Sequence, residues 1–274
     1  MANPPLLTLN NSVTVPQLGF GVYQVRAAQA GKVIGAAIEA GYRSIDTAAM
    51  YGNEAEVGEA IRASGLPRDE FFVTTKLWND QHGYDNALRA FDHSVAALGL
   101  AQIDLFLIHW PQPRRDRYVE TWRALEQLYR DGRVRAIGVS NFGITHLSRL
   151  LDETDVVPAV NQVELHPWLQ QLPLRTFHAE HGIATEAWSP LARGRLLGDR
   201  VVTALATKYG KTPAQLVLRW HLQMGTIAIP KSATPARIRE NFAVFDFELA
   251  DDDLAALAEL DNGTRTGADP DTFG

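Results

Sequence analysis

Short runs of consecutive apolar residues alternate along the chain with stretches whose apolar side chains return every three or four positions. Ile103-Asp104-Leu105-Phe106-Leu107-Ile108 typifies the runs, and near-continuous apolarity over this length predicts a strand buried on both faces. Eight such segments follow one another, at 18–21, 44–46, 72–76, 103–109, 134–140, 159–164, 184–189 and 226–229. Amphipathic helices are predicted between them. In Tyr118–Arg130 the apolar side chains of Tyr118, Trp122, Leu125 and Tyr129 fall on one helical face, and Gly132 supplies the stop.

From the second strand on, the predicted strands end near Asp46, Lys76, His109, Ser140, Gln162, Trp188 and Lys231, spaced 30, 33, 31, 22, 26 and 43 residues apart. A strand–helix unit needs roughly 30 residues. The long last interval accommodates extra helices at 201–209 and 213–224. Eight units predict a (β/α)8 TIM barrel, one domain over residues 1–274, with an open doubly wound sheet as the competing architecture. Ahead of it, 6–9 and 13–15 around Asn10-Asn11 read as a hairpin closing the barrel's bottom.

The 274 residues, 46% hydrophobic and 21% charged, are enough for one large core. Twenty-six basic against thirty-two acidic side chains leave a net charge of −6, which argues against nucleic acid or anionic lipid as partner. No cysteine is present, so thiolate metal sites and cysteine nucleophiles are excluded. Residues 1–5 carry no signal-peptide pattern and no stretch has membrane-spanning length, so a soluble, cytoplasmic protein is expected. Only 5 of the 26 basic residues are lysines; two of them, Lys76 and Lys231, fall at strand ends.

Three motif-like strings fail on inspection. Gly19-Phe20-Gly21 starts a dinucleotide fingerprint, but Gln24 stands in place of the third glycine. Gly210-Lys211-Thr212 lacks the first P-loop glycine, which would sit at Leu205. His178 and His181 are three apart with no third ligand nearby, so no metal is expected. The strand ends are more informative, because in a barrel they meet on the face that carries the active site. Asp46, Lys76 and His109 end three successive strands, and Tyr51 lies in the loop after Asp46. Singly, each has an ordinary structural reading. Together, an ammonium beside a phenol would lower the phenol's pKa, a carboxylate would keep the ammonium charged, and an imidazole would hydrogen-bond a developing oxyanion. That combination suits proton delivery to a carbonyl oxygen. Asn53 and Glu56 read as the N-cap and third-position partner of the next helix.

A second feature lies after strand eight. Thr234-Pro235 reads as the start of a helix flanked by Lys231, Ser232 and Arg237, an arrangement suited to an anion. Barrels often hold phosphate after strands seven and eight. Arg114 and Arg115 read as solvated loop charge.

Asp46-Thr47-Ala48-Ala49-Met50-Tyr51-Gly52-Asn53-Glu54 resembles the D-T-A-x-x-Y-x-N-E signature of aldo-keto reductases. Thr75-Lys76-Leu77-Trp78, Leu107-Ile108-His109-Trp110-Pro111, Gly138-Val139-Ser140-Asn141-Phe142, Asn161-Gln162-Val163-Glu164-Leu165-His166-Pro167 and Ile229-Pro230-Lys231-Ser232 resemble further family blocks, in order and over essentially the whole chain. Within the family the chain looks most like bacterial 2,5-diketo-D-gluconate reductases. The resemblance implies NADPH-dependent reduction of small aldehydes, ketones and keto-sugars by a monomer. Tyr51 would be the general acid, Lys76 and Asp46 its tuning pair, and His109 the carbonyl-orienting donor. Ser140, Asn141 and Gln162 would hold the nicotinamide carboxamide and Trp188 would stack on its ring. Ser189, Leu191, Lys231, Ser232, Arg237, Glu240 and Asn241 would complete the cofactor contacts, and Tyr23, Trp78 and Trp110 the substrate pocket. The short 111–117 loop and the short tail after 261 would leave that pocket open. Two other readings of the same barrel stay open, a non-catalytic nicotinamide-binding regulatory protein and a sugar-phosphate isomerase or lyase.

Overall fold

A computed structural model of the chain describes residues 4–273. An antiparallel hairpin of β1 (Leu6–Thr8) and β2 (Thr14–Pro16) comes first. Eight strands follow: β3 (Phe20–Gly21), β4 (Ser44–Asp46), β5 (Phe72–Leu77), β6 (Ile103–Ile108), β7 (Val134–Ser140), β8 (Val160–Glu164), β9 (Ala184–Trp188) and β10 (Ile227–Ala228). They form one parallel sheet in strict sequence order, each paired with its neighbours along the chain. The sheet curls on itself: Leu18 bridges Ala228, the Gly19 N–H donates to the Ala228 carbonyl at 2.9 Å, and the Ala228 N–H donates to the Gln17 carbonyl at 2.9 Å. This is an α/β fold consistent with the expected eight-stranded barrel.

The helices are α1 (Ala27–Ala40), α2 (Glu54–Ala63), α3 (Tyr84–Leu98), α4 (Tyr118–Arg130), α5 (Ile144–Glu153), α6 (Leu172–Glu180), α7 (Arg200–Tyr209), α8 (Pro213–Gln223), α9 (Pro235–Phe242) and α10 (Asp251–Ala258). α4 shows why they form. It buries Tyr118, Trp122 and Leu125 along one stripe and stops before Gly132, whose φ of 67° is left-handed. The two helices expected in the last long interval are α7 and α8. α8 opens with a capping box, Thr212 Oγ1 accepting from the Gln215 N–H while Gln215 Oε1 accepts from the Thr212 N–H.

Side chains alternate across a strand, and the core divides accordingly. Phe106, Ile108 and Val139 pack outward with Trp122 and other helix residues in one extensive cluster. Phe72, Leu105, Leu107, Ala136, Val160 and Ile227 form a second, smaller cluster with Leu9 and Val15 of the N-terminal segment. Asn10 and Asn11, in the hairpin turn, donate to the Pro158 and Arg135 carbonyls, at the N-terminal ends of β8 and β7. Counting on by two from the inner cluster, Phe72 leads to Lys76, Leu107 to His109, Ala136 to Ser140 and Val160 to Gln162. An apolar layer at one end of the sheet thus gives way to a polar layer at the other.

Candidate active site

The polar layer begins with Lys76, whose side chain is fully buried. Its Nζ donates to Asp46 Oδ1 at 2.6 Å and to the Thr47 carbonyl at 2.9 Å, and lies 3.5 Å from Tyr51 Oη. Asp46 Oδ2 accepts from Gln162 Nε2 at 2.8 Å. Burial works against the Lys76 charge, but Asp46, by its charge and its hydrogen bond, leads the groups that outweigh it, and the ammonium is held above its ordinary pKa.

Tyr51 differs from expectation. It ends a short 3-10 turn, Ala49–Tyr51, with its ring against Tyr23 at 5.0 Å and edge-on to His109 at 5.7 Å. Burial pushes its phenol up to about 12, and the neighbouring ammonium offsets only part of that rise. The group therefore keeps its proton throughout the neutral range. His109 is buried and its pKa lies well below the usual value, through desolvation first and the Lys76 charge second, so the imidazole is neutral. Its Nδ1 has no partner among the described residues. The site thus joins a protonated phenol, a charged ammonium, a carboxylate and a neutral imidazole, groups suited to donating a proton to an oxygen and hydrogen-bonding that oxygen.

Above them opens a cavity of about 810 Å³, near the top of the roughly 300–1,000 Å³ range usual for ligand pockets. Every candidate residue lines it except Lys76, which lies beneath. Tyr23, Trp78 and Trp110 all line it, with Trp78 edge-on to His109 at 5.0 Å. Asn141, left-handed at φ 64°, donates from Nδ2 to the His109 carbonyl and to Ser140 Oγ, both at 3.0 Å. Its Oδ1 accepts from Trp188 Nε1 at 2.8 Å, and the Ser140 hydroxyl donates to the Gln162 carbonyl at 2.8 Å. The donors of Ser140, Asn141 and Gln162 are therefore spent inside the protein. Acceptor lone pairs remain at the cavity, suited to a ligand's N–H groups.

Ser189 and Leu191 continue the wall, and the far end is cationic. Lys231 and Arg237 are exposed and make no ion pair among the described residues, where α9 begins at Pro235. Ser232 Oγ accepts from the Thr234 N–H at 3.2 Å, while Thr234, at the N-cap position, makes no side-chain cap. Glu240 accepts from Thr212 Oγ1 at 2.9 Å, and Asn241 is buried beside it. Two unpaired cations, a helix start and an acceptor trio at the opposite end fit a phosphorylated nicotinamide dinucleotide.

Two expectations fail. Asn53 precedes α2 but its side chain caps nothing, and no capping box with Glu56 forms. Instead Asn53 Oδ1 accepts from Thr47 Oγ1 at 2.7 Å, and its Nδ2 donates to the Val22 and Val25 carbonyls, joining the segment after β3 to that after β4. The pocket is also less open than the short tail implied. Gly267, Ala268 and Phe273 line it, with Phe273 4.4 Å from the Trp110 ring and its carbonyl accepting from Gln112 Nε2. The tail is held at Glu164, whose carboxylate accepts from the Thr266 N–H at 2.6 Å, the Thr266 hydroxyl at 2.5 Å, the Gly267 N–H at 3.0 Å and His166 Nε2 at 3.0 Å. Gly267 passes so close to Trp188 that a Cβ there would lie 2.3 Å from the indole Cη2. Glu164 sits within a motif already quoted, but nothing in the sequence indicated its partner a hundred residues away. Glu186 was also missed; its signal is a lone carboxylate inside an otherwise largely apolar strand.

Residues 17–262 match the model of the aldo/keto reductase family. The chain belongs to that family. It is 54% identical to an aldo-keto reductase of Mycolicibacterium smegmatis, covering 98% of both chains. It is 51% identical to the methylglyoxal reductase DkgA of Escherichia coli K12, covering all of both. A solved structure of a Gox0644 mutant in complex with NADPH superposes with a TM-score of 0.96 at 47% identity, over the full length of both chains.

Proposed function

We propose that this protein is a single-domain, NADPH-dependent carbonyl reductase, its eight strands closed into a barrel floored by the N-terminal hairpin. The observation that carries the reading is the contact series from Asp46 through Lys76 to Tyr51 beneath a cavity with a cationic far end. NADPH is named in a homologous structure, and reduction of methylglyoxal in a relative of half-identical sequence. When bound, NADPH would supply hydride to a carbonyl carbon. Lys231, Ser232 and Arg237 hold its phosphates, Ser140, Asn141 and Gln162 its carboxamide nitrogen, and Trp188 packs on its ring. Tyr51 gives its proton to the carbonyl oxygen. The developing phenolate is stabilised by Lys76, which Asp46 keeps charged. Neutral His109 orients the oxygen with a single N–H, and Tyr23, Trp78, Trp110 and Phe273 exclude water from small aldehydes, ketones and keto-sugars.

The test is NADPH consumption with a panel of such carbonyls, in the parent and in Tyr51→Phe. The expected result is turnover by the parent and a loss of at least ~100-fold in the variant, with NADPH affinity nearly unchanged. Equal turnover in Tyr51→Phe would reject the assigned acid. A parent that binds no NADPH would favour a non-redox barrel.

A further inference from the structure

Glu186 is buried at 2% exposure in the middle of β9, and the reduction chemistry gives it no task. It stands opposite Gln162 in the β8–β9 ladder, and Gln162 Nε2 lies 3.2 Å from its Oε2 and 2.8 Å from Asp46 Oδ2. An amide nitrogen has two hydrogens, and these two carboxyl groups take both. Gln162 is thereby fixed with its nitrogen toward the floor. Its Oε1 makes no hydrogen bond among the described residues, and Gln162 lines the cavity that Glu186 does not reach. An amide with only one such anchor could rotate, and one with none could present either end.

We infer that Glu186 is a positioning residue for the nicotinamide end of the cofactor: with Asp46 it clamps the Gln162 amide so that the side-chain oxygen is offered to the carboxamide nitrogen. The inference rests on the cofactor reading above. Burial, with Asp46 nearby, lifts the Glu186 carboxyl to about 8, against the partial opposition of Gln162 and Lys76, so it is uncharged at neutral pH. An uncharged acceptor of this shape is closely imitated by glutamine, whereas leucine or methionine cannot accept at all.

The test measures binding alone, by isothermal titration calorimetry. Two ligands are titrated, NADPH and the adenosine 2′,5′-bisphosphate fragment that lacks the nicotinamide. Glu186→Leu should weaken NADPH by about tenfold, the usual value of one buried hydrogen bond, and leave the fragment within about twofold. Glu186→Gln should restore NADPH binding to within about twofold of the parent. In a Gln162→Leu background, Glu186→Leu should add less than about twofold, because the effect passes through Gln162. Should leucine prevent folding, Glu186→Met replaces it in both arms. Parent-like NADPH affinity in the apolar variant, equal loss of both ligands, or a full additional loss in the Gln162→Leu background would overturn the proposal. A parent that binds the fragment but not NADPH would overturn it too, and a parent that binds neither would sink the cofactor reading itself.

Discussion

Replacing Glu164 by glutamine should release the C-terminal strap from the cavity without unfolding the barrel. Burial pushes this carboxyl up, but hydrogen bonds from His166, Thr266 and Gly267 outweigh it and bring the group down to about 2, against 4.5 ordinarily. Each tenfold change in proton affinity is worth about 1.4 kcal/mol, so the charge contributes about 3 kcal/mol, or about 2 kcal/mol after allowance for screening along the half-exposed strap. Glutamine also presents an NH2 group to partners that are all donors. Because Thr266 and Gly267 are the strap's share of this network, the loss falls on local opening. About 2 kcal/mol corresponds to roughly 30-fold faster amide exchange in residues 264–273, with the exchange of β5–β8 unchanged. Hydrogen exchange read by mass spectrometry resolves that segment. In the parent the folded pKa is depressed, so the latch is complete above pH ~4.5 and weakens as pH falls toward ~2. Glu164→Gln should lose that dependence. Parent-like exchange in the strap, or acceleration spread evenly over the strands, would refute the reasoning.

Lys76→Met leaves Asp46 buried beside Gln162 without its cation. A loss of ~3–5 kcal/mol in denaturant unfolding is expected, and a loss under ~1 kcal/mol would show that Asp46 had found another partner or a proton. Arg237→Ala should weaken NADPH by about tenfold and NADH by less than about twofold, since only the former carries the 2′-phosphate. The difference should shrink as salt is raised, Arg237 being exposed. Equal losses for the two cofactors would assign Arg237 to another part of the ligand.

The fold was legible because each strand is marked twice, by its apolar run and by its spacing from the next. Tyr118–Arg130 falls where its 3.6-residue pattern placed it. The short strands were harder: the 226–229 run contributes only Ile227–Ala228 to the ladder, though the Ile229 N–H still donates to the Ala187 carbonyl. Strand-end chemistry was legible for the same reason, since inner-face parity carries Lys76, His109, Ser140 and Gln162 to one end of the sheet. What sequence could not show is competition. Asn53 has a cap residue's chemistry but its amide is drawn to the Val22 and Val25 carbonyls. Tyr51 has a cation beside it, yet burial governs its proton. Glu164 and Thr266 meet across 102 residues, a pairing that no local pattern encodes.

The polar layer is hard to explain as a device for folding. The strands that carry it fill the layer below with Phe72, Leu105, Val160 and Ile227, so the sheet can pack its interior with hydrocarbon alone. Buried ion pairs are often replaced by well-packed apolar side chains at no loss, because desolvation consumes most of their attraction. Here one ammonium faces two carboxyl groups, and a single amide bridges the two acids. Burial and the neighbouring Asp46 keep the proton on Glu186, while Asp46 makes the contact with Lys76. That division makes chemical sense directly beneath a cavity whose wall carries a phenol 3.5 Å from the same ammonium. The layer makes sense through the groups above it: it sets one positive charge near the Tyr51 hydroxyl and leaves one amide oxygen, that of Gln162, without a protein partner at the cavity.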